Sequence, residues 1–308
     1  MSSSDDWPRI AVAGAGAVGG YFGGMLARAG APVTMIGRAT FVEAVRKNGL
    51  LLDTVQFKET VRIEVSADLA AVRDADLVLF CVKTTDTEST ARALAPVLSS
   101  SATLISLQNG VDNAEKIRAA GIDALSAVVY VAASVPEPGV IKHVGRGDLV
   151  LGPPNARSQK FAALFQRAAV SCRISDNIDG ELWTKLIWNC ALNAISALGR
   201  ARYGQIAASE DARKLVELAV NEVLTVAQAA HIQLPSVETP QAGLAGALKI
   251  ATQMSGAISS TGQDLMRGKR TEIDSLNGYI ARRGMELGVP TPINHALWTL
   301  VKLAEGRS

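Results

Sequence analysis

The sequence predicts an α/β N-terminal half followed by an all-α C-terminal domain. Three observations carry that prediction. Short apolar strands alternate with helical stretches through the first half of the chain. A Gly-x-Gly-x-x-Gly pattern stands between the first strand and the first helix. Strand signals then vanish after about residue 177, where long helical patterns take over. Alternating strands and helices imply a mostly parallel sheet, here a Rossmann-type doubly wound one, so residues 1–176 are expected to form the first domain and 177–308 the helical second.

Each element follows from local pattern. Arg9-Ile10-Ala11-Val12-Ala13 predicts the first strand, followed by a glycine-rich turn and a helix ending near Gly30, and Pro32-Val33-Thr34-Met35-Ile36 predicts the next strand. Residues 50–65 read as an inserted hairpin, with Leu50-Leu51-Leu52 and Val61-Arg62-Ile63-Glu64-Val65 around a polar turn. Asp76 to Val82 is an apolar run suited to a strand buried on both faces. A helix over 86–95, a strand from Ala102 to Leu107 and two further strand-like segments, one from Ala124 to Val131, carry the chain to Leu151. Helices are expected at about 178–198, 209–231, 240–266, 272–287 and Pro292 to Ala304, with Gly288-Val289-Pro290 as a stop signal.

Composition narrows the function classes. Hydrophobic residues make up 48% of the 308 and charged residues 19%, which fits a packed domain pair and excludes wholesale disorder. The 31 Lys and Arg nearly balance the 29 Asp and Glu, leaving a net charge of +2 with no basic cluster. A nucleic-acid or membrane-surface partner is therefore not expected. No apolar stretch approaches the ~20 residues that span a bilayer, and Met1-Ser2-Ser3-Ser4-Asp5-Asp6 lacks the basic and apolar parts of a secretory leader. Cys81, Cys172 and Cys190 are scattered in apolar contexts and the three histidines show no ligand spacing. Reduced, packed thiols, no metal site and a cytoplasmic location are the expectation.

Gly14-Ala15-Gly16-Ala17-Val18-Gly19 directly follows a strand and opens a helix, the context that dinucleotide binding requires. Gly14 would make the tight turn, Gly16 would let backbone approach a pyrophosphate, and Gly19 would let helix and strand pack closely. The helix N-terminus adds free N–H groups and a positive dipole for the anion. At the end of the second strand, a site for NAD usually has an acid that bonds the ribose 2′-hydroxyl. Here the chain reads Ile36-Gly37-Arg38, and an Arg suits the 2′-phosphate of NADPH. Lys83 and Asn109-Gly110 lie at the carboxyl ends of two more parallel strands, the edge where such sheets bind ligands, though an exposed strand exit and a plain turn would read the same way.

In the helical half, Lys185, Asn189 and Asn193 recur at i, i+4 and i+8, so they share one stripe of an otherwise apolar helix. A buried Asn left unpaired costs about 1–3 kcal/mol, so both amides need partners. A polar ligand would supply them; so would neighbouring backbone, with Glu181 and Lys185 then forming an ordinary surface pair. Thr271 and Asp274 stand in capping-box register, in which case Glu272 would only favour a helix dipole.

Taken together, these residues resemble the ketopantoate reductase family. The resemblance runs from Ile10 to about Leu303. It rests on Gly14 to Gly19, Arg38, Val82-Lys83, Gln108-Asn109-Gly110, Glu181-Leu182-Trp183-x-Lys185-Leu186 through Asn193, Ser259-Ser260, Thr271-Glu272-Ile273-Asp274 with Asn277-Gly278, and Gly288-Val289-Pro290-Thr291-Pro292. It implies NADPH-dependent reduction of a small 2-keto acid, ketopantoate, to D-pantoate for pantothenate synthesis. By resemblance Lys185 would be the general acid. Asn189, Asn193 and Ser260 would hold the substrate, Asn109 would lie between substrate and nicotinamide, Lys83 near the cofactor, and Glu272 near the reacting hydroxyl and the cofactor ribose. Two positions depart from the family pattern. The chain has Arg202-Tyr203-Gly204 where an Asn-Gly pair is common, and Ala257 where some members carry Asn. The alternatives are a reductase of a different 2-keto acid and a non-catalytic NADPH-binding sensor; a homodimer is compatible with the sequence but not specified by it.

Overall fold

The computed structural model describes residues 7–235, 237 and 239–306, so the reading of Met1 to Asp6 lies outside the described residues. The chain forms two compact units. One takes in the residues up to Gln108 together with Asp112–Ile178; the other takes in Asn109–Val111 and the chain from Asp179 onward.

The first unit runs β1 (Ile10–Ala13), α1 (Ala17–Arg28), β2 (Val33–Ile36), α2 (Ala39–Asn48), β3 (Leu50–Asp53), β4 (Lys58–Val61), β5 (Glu64–Ser66), β6 (Leu77–Phe80), α3 (Thr87–Leu94), β7 (Thr103–Ser106), α4 (Asn113–Ala119), β8 (Ala124–Ser134), β9 (Val140–Gly152), α5 (Ala156–Arg167) and β10 (Cys172–Ile174). Its strands make one sheet in the order β4-β3-β9-β8-β7-β6-β1-β2-β5, with β10 beside β9. β1 pairs in parallel with both β2 and β6, Ile10 lying opposite Val33 on one side and Leu77 on the other. All four residues of β1 and of β6 are buried, as expected of parallel strands covered on both faces. The order reverses between β1 and β6, a topological switch point where loops leave the sheet in opposite directions.

The segment 50–65 departs from the expected hairpin. β3 and β4 do pair antiparallel, Leu50 with Val61 and Asp53 with Lys58. The second arm ends at Val61, however, and Glu64–Ser66 pairs in parallel with β2 at the opposite edge of the sheet. No Gly or Pro marks the break, so the β-branched run through Ile63 reads as a single strand. The two strand-like segments before Leu151 prove to be a long antiparallel pair, β8 with β9, broken by register shifts at Tyr130/Val131 and Ala132/Ala133. The sheet is therefore mixed, though parallel through its centre.

The second unit holds α6 (Ile178–Gly199), α7 (Tyr203–Ala208), α8 (Glu210–Ala229), α9 (Pro240–Gln253), α10 (Ser260–Met266), a 3-10 turn at Ile273–Ser275, α11 (Asn277–Leu287) and α12 (Pro292–Glu305). Its core joins Ile187 and Cys190 of α6, Val220 and Val223 of α8, Ile280 of α11 and Val301 of α12. The single helix expected over 240–266 is two. After Gln253 the chain passes through Ser255-Gly256, and Ser259 restarts the helix by accepting a hydrogen bond from the Gly262 N–H at 3.0 Å. The break is stabilised from outside: Tyr203 N donates to Ala257 O and Gly204 N to Ser255 O, both at 3.0 Å.

The expected helix over 272–287 likewise opens only at Asn277, behind the 3-10 turn. Thr271 does not cap it: its hydroxyl donates to Glu305 Oε1 and accepts from Ile273 N. Gly288 does stop α11, in the left-handed conformation at φ 68°. Cys81, Cys172 and Cys190 are free, and burial pushes all three thiols up, Cys172 to about 12, so they stay protonated at neutral pH. Among the described residues no helix is long and apolar enough to cross a membrane, and no His, Cys, Asp and Glu side chains group as a metal site.

Candidate active site

In the first unit the sequence-predicted residues meet at the carboxyl edge of the sheet, at the switch point. Gly14 turns the chain out of β1 at φ 105°, and a Cβ there would sit 2.7 Å from the backbone of Cys81 and Val82 at the exit of β6. Gly14 N and Ala15 N both donate to Ile36 O, at 3.1 and 3.0 Å, so the glycine loop is stitched to the end of β2. Gly16 is the N-cap residue of α1; no side chain caps that end and its first turn holds no acid. A Cβ on Gly16 would meet nothing within 4 Å, whereas one on Gly19 would collide with Gly14 O and approach Val12 Cγ1 to 2.9 Å. The three glycines thus differ: Gly14 bends, Gly19 packs, and Gly16 leaves open space at the uncapped start of α1. With Ala17 and Val18 completing the first turn, that end of α1 suits a pyrophosphate.

Arg38 follows β2 directly, exposed, as the N-cap residue of α2. No acid stands at Ile36-Gly37-Arg38, so the position offers a guanidinium to whatever lies over the glycine loop. Lys83 leaves β6 at the same edge and precedes a short 3-10 turn at Thr84–Asp86. Beneath this edge lies a buried polar network that the sequence did not disclose. Gln108 Nε2 donates to Val82 O at 2.9 Å and to Thr87 Oγ1 at 2.8 Å, Ser106 Oγ donates to Gln108 Oε1 at 3.0 Å, and Thr87 Oγ1 donates to Asn113 Oδ1 at 3.0 Å. The network fixes the exits of β6 and β7 to the starts of α3 and α4. The one available signal was Gln108 itself, an amide closing an apolar strand.

In the second unit three predicted residues from distant parts of the chain form a relay. Lys185 Nζ donates to Asn109 Oδ1 at 2.9 Å, and Asn109 Nδ2 donates to Glu272 Oε2 at 3.0 Å. Each of the three is half-buried. An ammonium, an amide and a carboxylate in series hold one another's orientation: the amide turns its oxygen to the cation and its nitrogen to the anion.

Glu272 is braced on both sides. Thr271 N and Oγ1 donate to Glu305 Oε1 at 2.7 and 2.6 Å. Trp298 Nε1 and Lys302 Nζ donate to the two oxygens of Asp274 at 2.8 and 3.1 Å. Burial pushes the Asp274 carboxyl up, but the hydrogen bonds from Trp298 and Lys302 and the charges of Lys302 and Arg270 outweigh it and hold it below the usual range. Burial likewise pushes the Glu305 carboxyl up, but the bonds from Thr271 and Lys302 and the Lys302 charge outweigh it and hold it below the usual range. The capping-box reading of Thr271 with Asp274 is therefore corrected: both residues are spent on α12, and Glu272 is held between them.

Along α6, Asn193 is buried and Asn189 half-buried. Their partners are neither a neighbouring carbonyl nor an open edge. Asn193 Oδ1 accepts from the Tyr203 hydroxyl at 3.0 Å, and its Nδ2 donates to Asn189 Oδ1 at 3.5 Å. Burial pushes the Tyr203 phenol well up, so it keeps its proton. Ser260 opens α10 with an exposed side chain, while Ser259 beside it is buried and donates to Asn193 O at 2.9 Å.

Comparisons with known proteins place this architecture. Residues 10–156 match the family model described as ketopantoate reductase PanE/ApbA, and residues 177–305 match the model for the C-terminal part of the same family. A 2-dehydropantoate 2-reductase of Pyrococcus horikoshii is 31% identical over 302 residues, 96% of this chain and 97% of the relative. A solved PanE/ApbA family ketopantoate reductase from Ralstonia eutropha superposes with a TM-score of 0.91 at 46% identity, over 97% of this chain and 99% of that one. A D-mandelate dehydrogenase solved with NADH and anilino(oxo)acetate superposes at 0.90 with 25% identity, over 97% and 98%. On these matches, which run through the glycine loop and the Lys185 helix alike, the chain belongs to the ketopantoate reductase PanE/ApbA family of NAD(P)-dependent 2-keto acid reductases.

Proposed function

We propose that the protein reduces ketopantoate to D-pantoate with NADPH, a step of pantothenate biosynthesis. Residues 1–176 would hold the cofactor and 177–308 the substrate. The observation that supports this reading most is the Lys185–Asn109–Glu272 relay, because a binding protein has no need of an ammonium oriented by an amide and a carboxylate. Gly14, Ala15, Gly16, Ala17, Val18 and Gly19 would take the pyrophosphate, and Arg38 the 2′-phosphate that distinguishes NADPH. By the family resemblance Lys83 would lie near the cofactor, Asn109 between nicotinamide and substrate, and Glu272 near the reacting hydroxyl and the cofactor ribose. The open space over Gly16, the uncapped α1 terminus and the lack of an acid beside Arg38 fit such a group.

When bound, the reduced nicotinamide supplies the hydride that goes to the keto carbon. The chain's own residues would do the rest. Lys185 faces the keto oxygen, stabilises the charge that grows there and delivers its Nζ proton, so that the ketone becomes a secondary alcohol. Asn109 holds that ammonium in place, and Glu272 fixes Asn109 while facing the new hydroxyl. Asn189, Asn193 and Ser260 would bind the rest of the substrate, Asn193 acting through Asn189 because its own amide is already engaged.

A second reading keeps the reaction and changes the acid. The likeness to a D-mandelate dehydrogenase favours it, as does Tyr203, which engages Asn193. One assay tests both: NADPH oxidation by the purified chain over a panel of 2-keto acids. Turnover of ketopantoate supports the first reading. Turnover only of other 2-keto acids supports the second, and no turnover of any rejects both.

A further inference from the structure

The stripe on α6 ends in a cluster where each polar side-chain atom of the buried members has a partner. Tyr203 gives its hydroxyl to Asn193 Oδ1, and Asn193 gives its Nδ2 to Asn189 Oδ1. Either orientation of the Asn193 amide leaves each of its polar atoms with a partner, since a neutral phenol accepts as readily as it donates, and burial of Asn193 and Tyr203 keeps the amide's remaining capacity from solvent. Ser259 Oγ donates to Asn193 O and accepts from Gly262 N. Ser196 Oγ donates to Ala201 O at 2.7 Å and accepts from Ser259 N at 3.1 Å. Ala257 contributes a methyl group, and its backbone O and N serve Tyr203 N and Met254 O. Elsewhere on the stripe Lys185 Nζ is held by Asn109 Oδ1, while Asn189 is half-buried and Ser260 exposed.

We propose that Tyr203, by closing off Asn193, removes this enzyme's selection for a hydroxyl on its substrate's side chain, so that it accepts branched 2-keto acids with wholly apolar side chains about as well as hydroxylated ones. The inference rests on the 2-keto acid reductase reading above. Tyr203 is a positioning residue here: it acts through Asn193. Chemistry sets the scale of the expected effect. A site built to hydrogen-bond a substrate hydroxyl rejects the analogue lacking it by roughly 10⁴–10⁵-fold, whereas a site without that contact discriminates little.

The test compares ketopantoate with trimethylpyruvate, which is ketopantoate without its hydroxyl, using the full chain and NADPH. The expected result is a kcat/KM for ketopantoate no more than about tenfold above that for trimethylpyruvate. A larger preference for the hydroxylated acid overturns the inference while leaving the reductase reading intact. Failure to oxidise NADPH with either acid overturns the reading and the inference with it. Tyr203→Phe supplies an independent arm, because it frees Asn193 Oδ1. It is expected to raise the ketopantoate-to-trimethylpyruvate ratio about three- to tenfold, expressed in KM. A purely structural tyrosine would change both substrates alike, and that result would remove Tyr203 from the explanation. The wild-type comparison decides the matter even if the variant does not fold.

Discussion

At the carboxyl edge of the sheet the candidate site is made of what side chains leave out. Gly16 has open space above it, the first turn of α1 has no cap, and the loop is fixed by two backbone bonds to Ile36 O. On α6 the opposite holds. Lys185, Asn109 and Glu272 are side chains held by side chains, drawn from three segments and braced by α12. The difference teaches where each half is vulnerable: the first to any added atom, the second to any lost one.

The largest expected effect removes the ammonium. Lys185→Ala should lower turnover by roughly 10²–10⁴-fold while leaving NADPH affinity and the melting temperature nearly unchanged. Steady-state kinetics beside a melting curve checks it; a slight loss of rate with a loss of stability would return Lys185 to an ordinary surface role. The glycine loop is next, and it should split. Gly14→Ala places a Cβ on backbone at a left-handed φ, which should cost about 2–6 kcal/mol, strain and overpacking each contributing about 1–3. Gly16→Ala should change stability by under about 1 kcal/mol yet weaken NADPH, since its Cβ enters only open space. Denaturant melts and direct binding on the two variants together would separate bending from cradling.

Smaller still, Arg38→Ala should weaken NADPH by about 1.5–3 kcal/mol, the worth of a charge-assisted hydrogen bond, with little change for NADH. Equal losses for both cofactors in a binding titration would reject the 2′-phosphate role. The smallest effect is on the brace. Asp274 and Glu305 are held below the usual carboxylate range, so their contribution is present at neutral pH and fades as the pH falls below about 4. Burial opposes but the Asp274 and Glu305 partners raise Lys302, whose share is complete below about pH 10 and lost above it. Glu305→Gln should therefore flatten the acid side of an unfolding free energy against pH profile, from denaturant melts, by about 1 kcal/mol or less and leave the middle of the range alone.

The parts that sequence disclosed are those whose cause is local. Strand, glycine turn and helix stand side by side from Ile10 to Arg28, and the i, i+4, i+8 spacing of Lys185, Asn189 and Asn193 lies on one helix. What stayed hidden was set by partners far away in the chain. Glu64–Ser66 joins β2 because Val65 finds cover there, at the edge opposite β4. The break between α9 and α10 is held by Tyr203 and Gly204, some fifty residues earlier. Thr271 turned from cap to brace because Glu305 lies beside it. Tyr203 stood out only as a departure from the family pattern; that it binds Asn193 needed the fold.

The brace on Glu272 ties the site to the last turn of α12. Lys302 and Glu305 touch nothing that would react, yet Thr271 and Asp274 hang from them on either side of the carboxylate that orients Asn109. A fusion, a crosslink or proteolytic trimming that frays that turn would register first as lost turnover, while the buried core of the helical unit still melted where it did before. Tags and immobilising linkers are for that reason better placed at the other terminus, and an unexplained loss of rate in a modified preparation points first to Lys302 and Glu305.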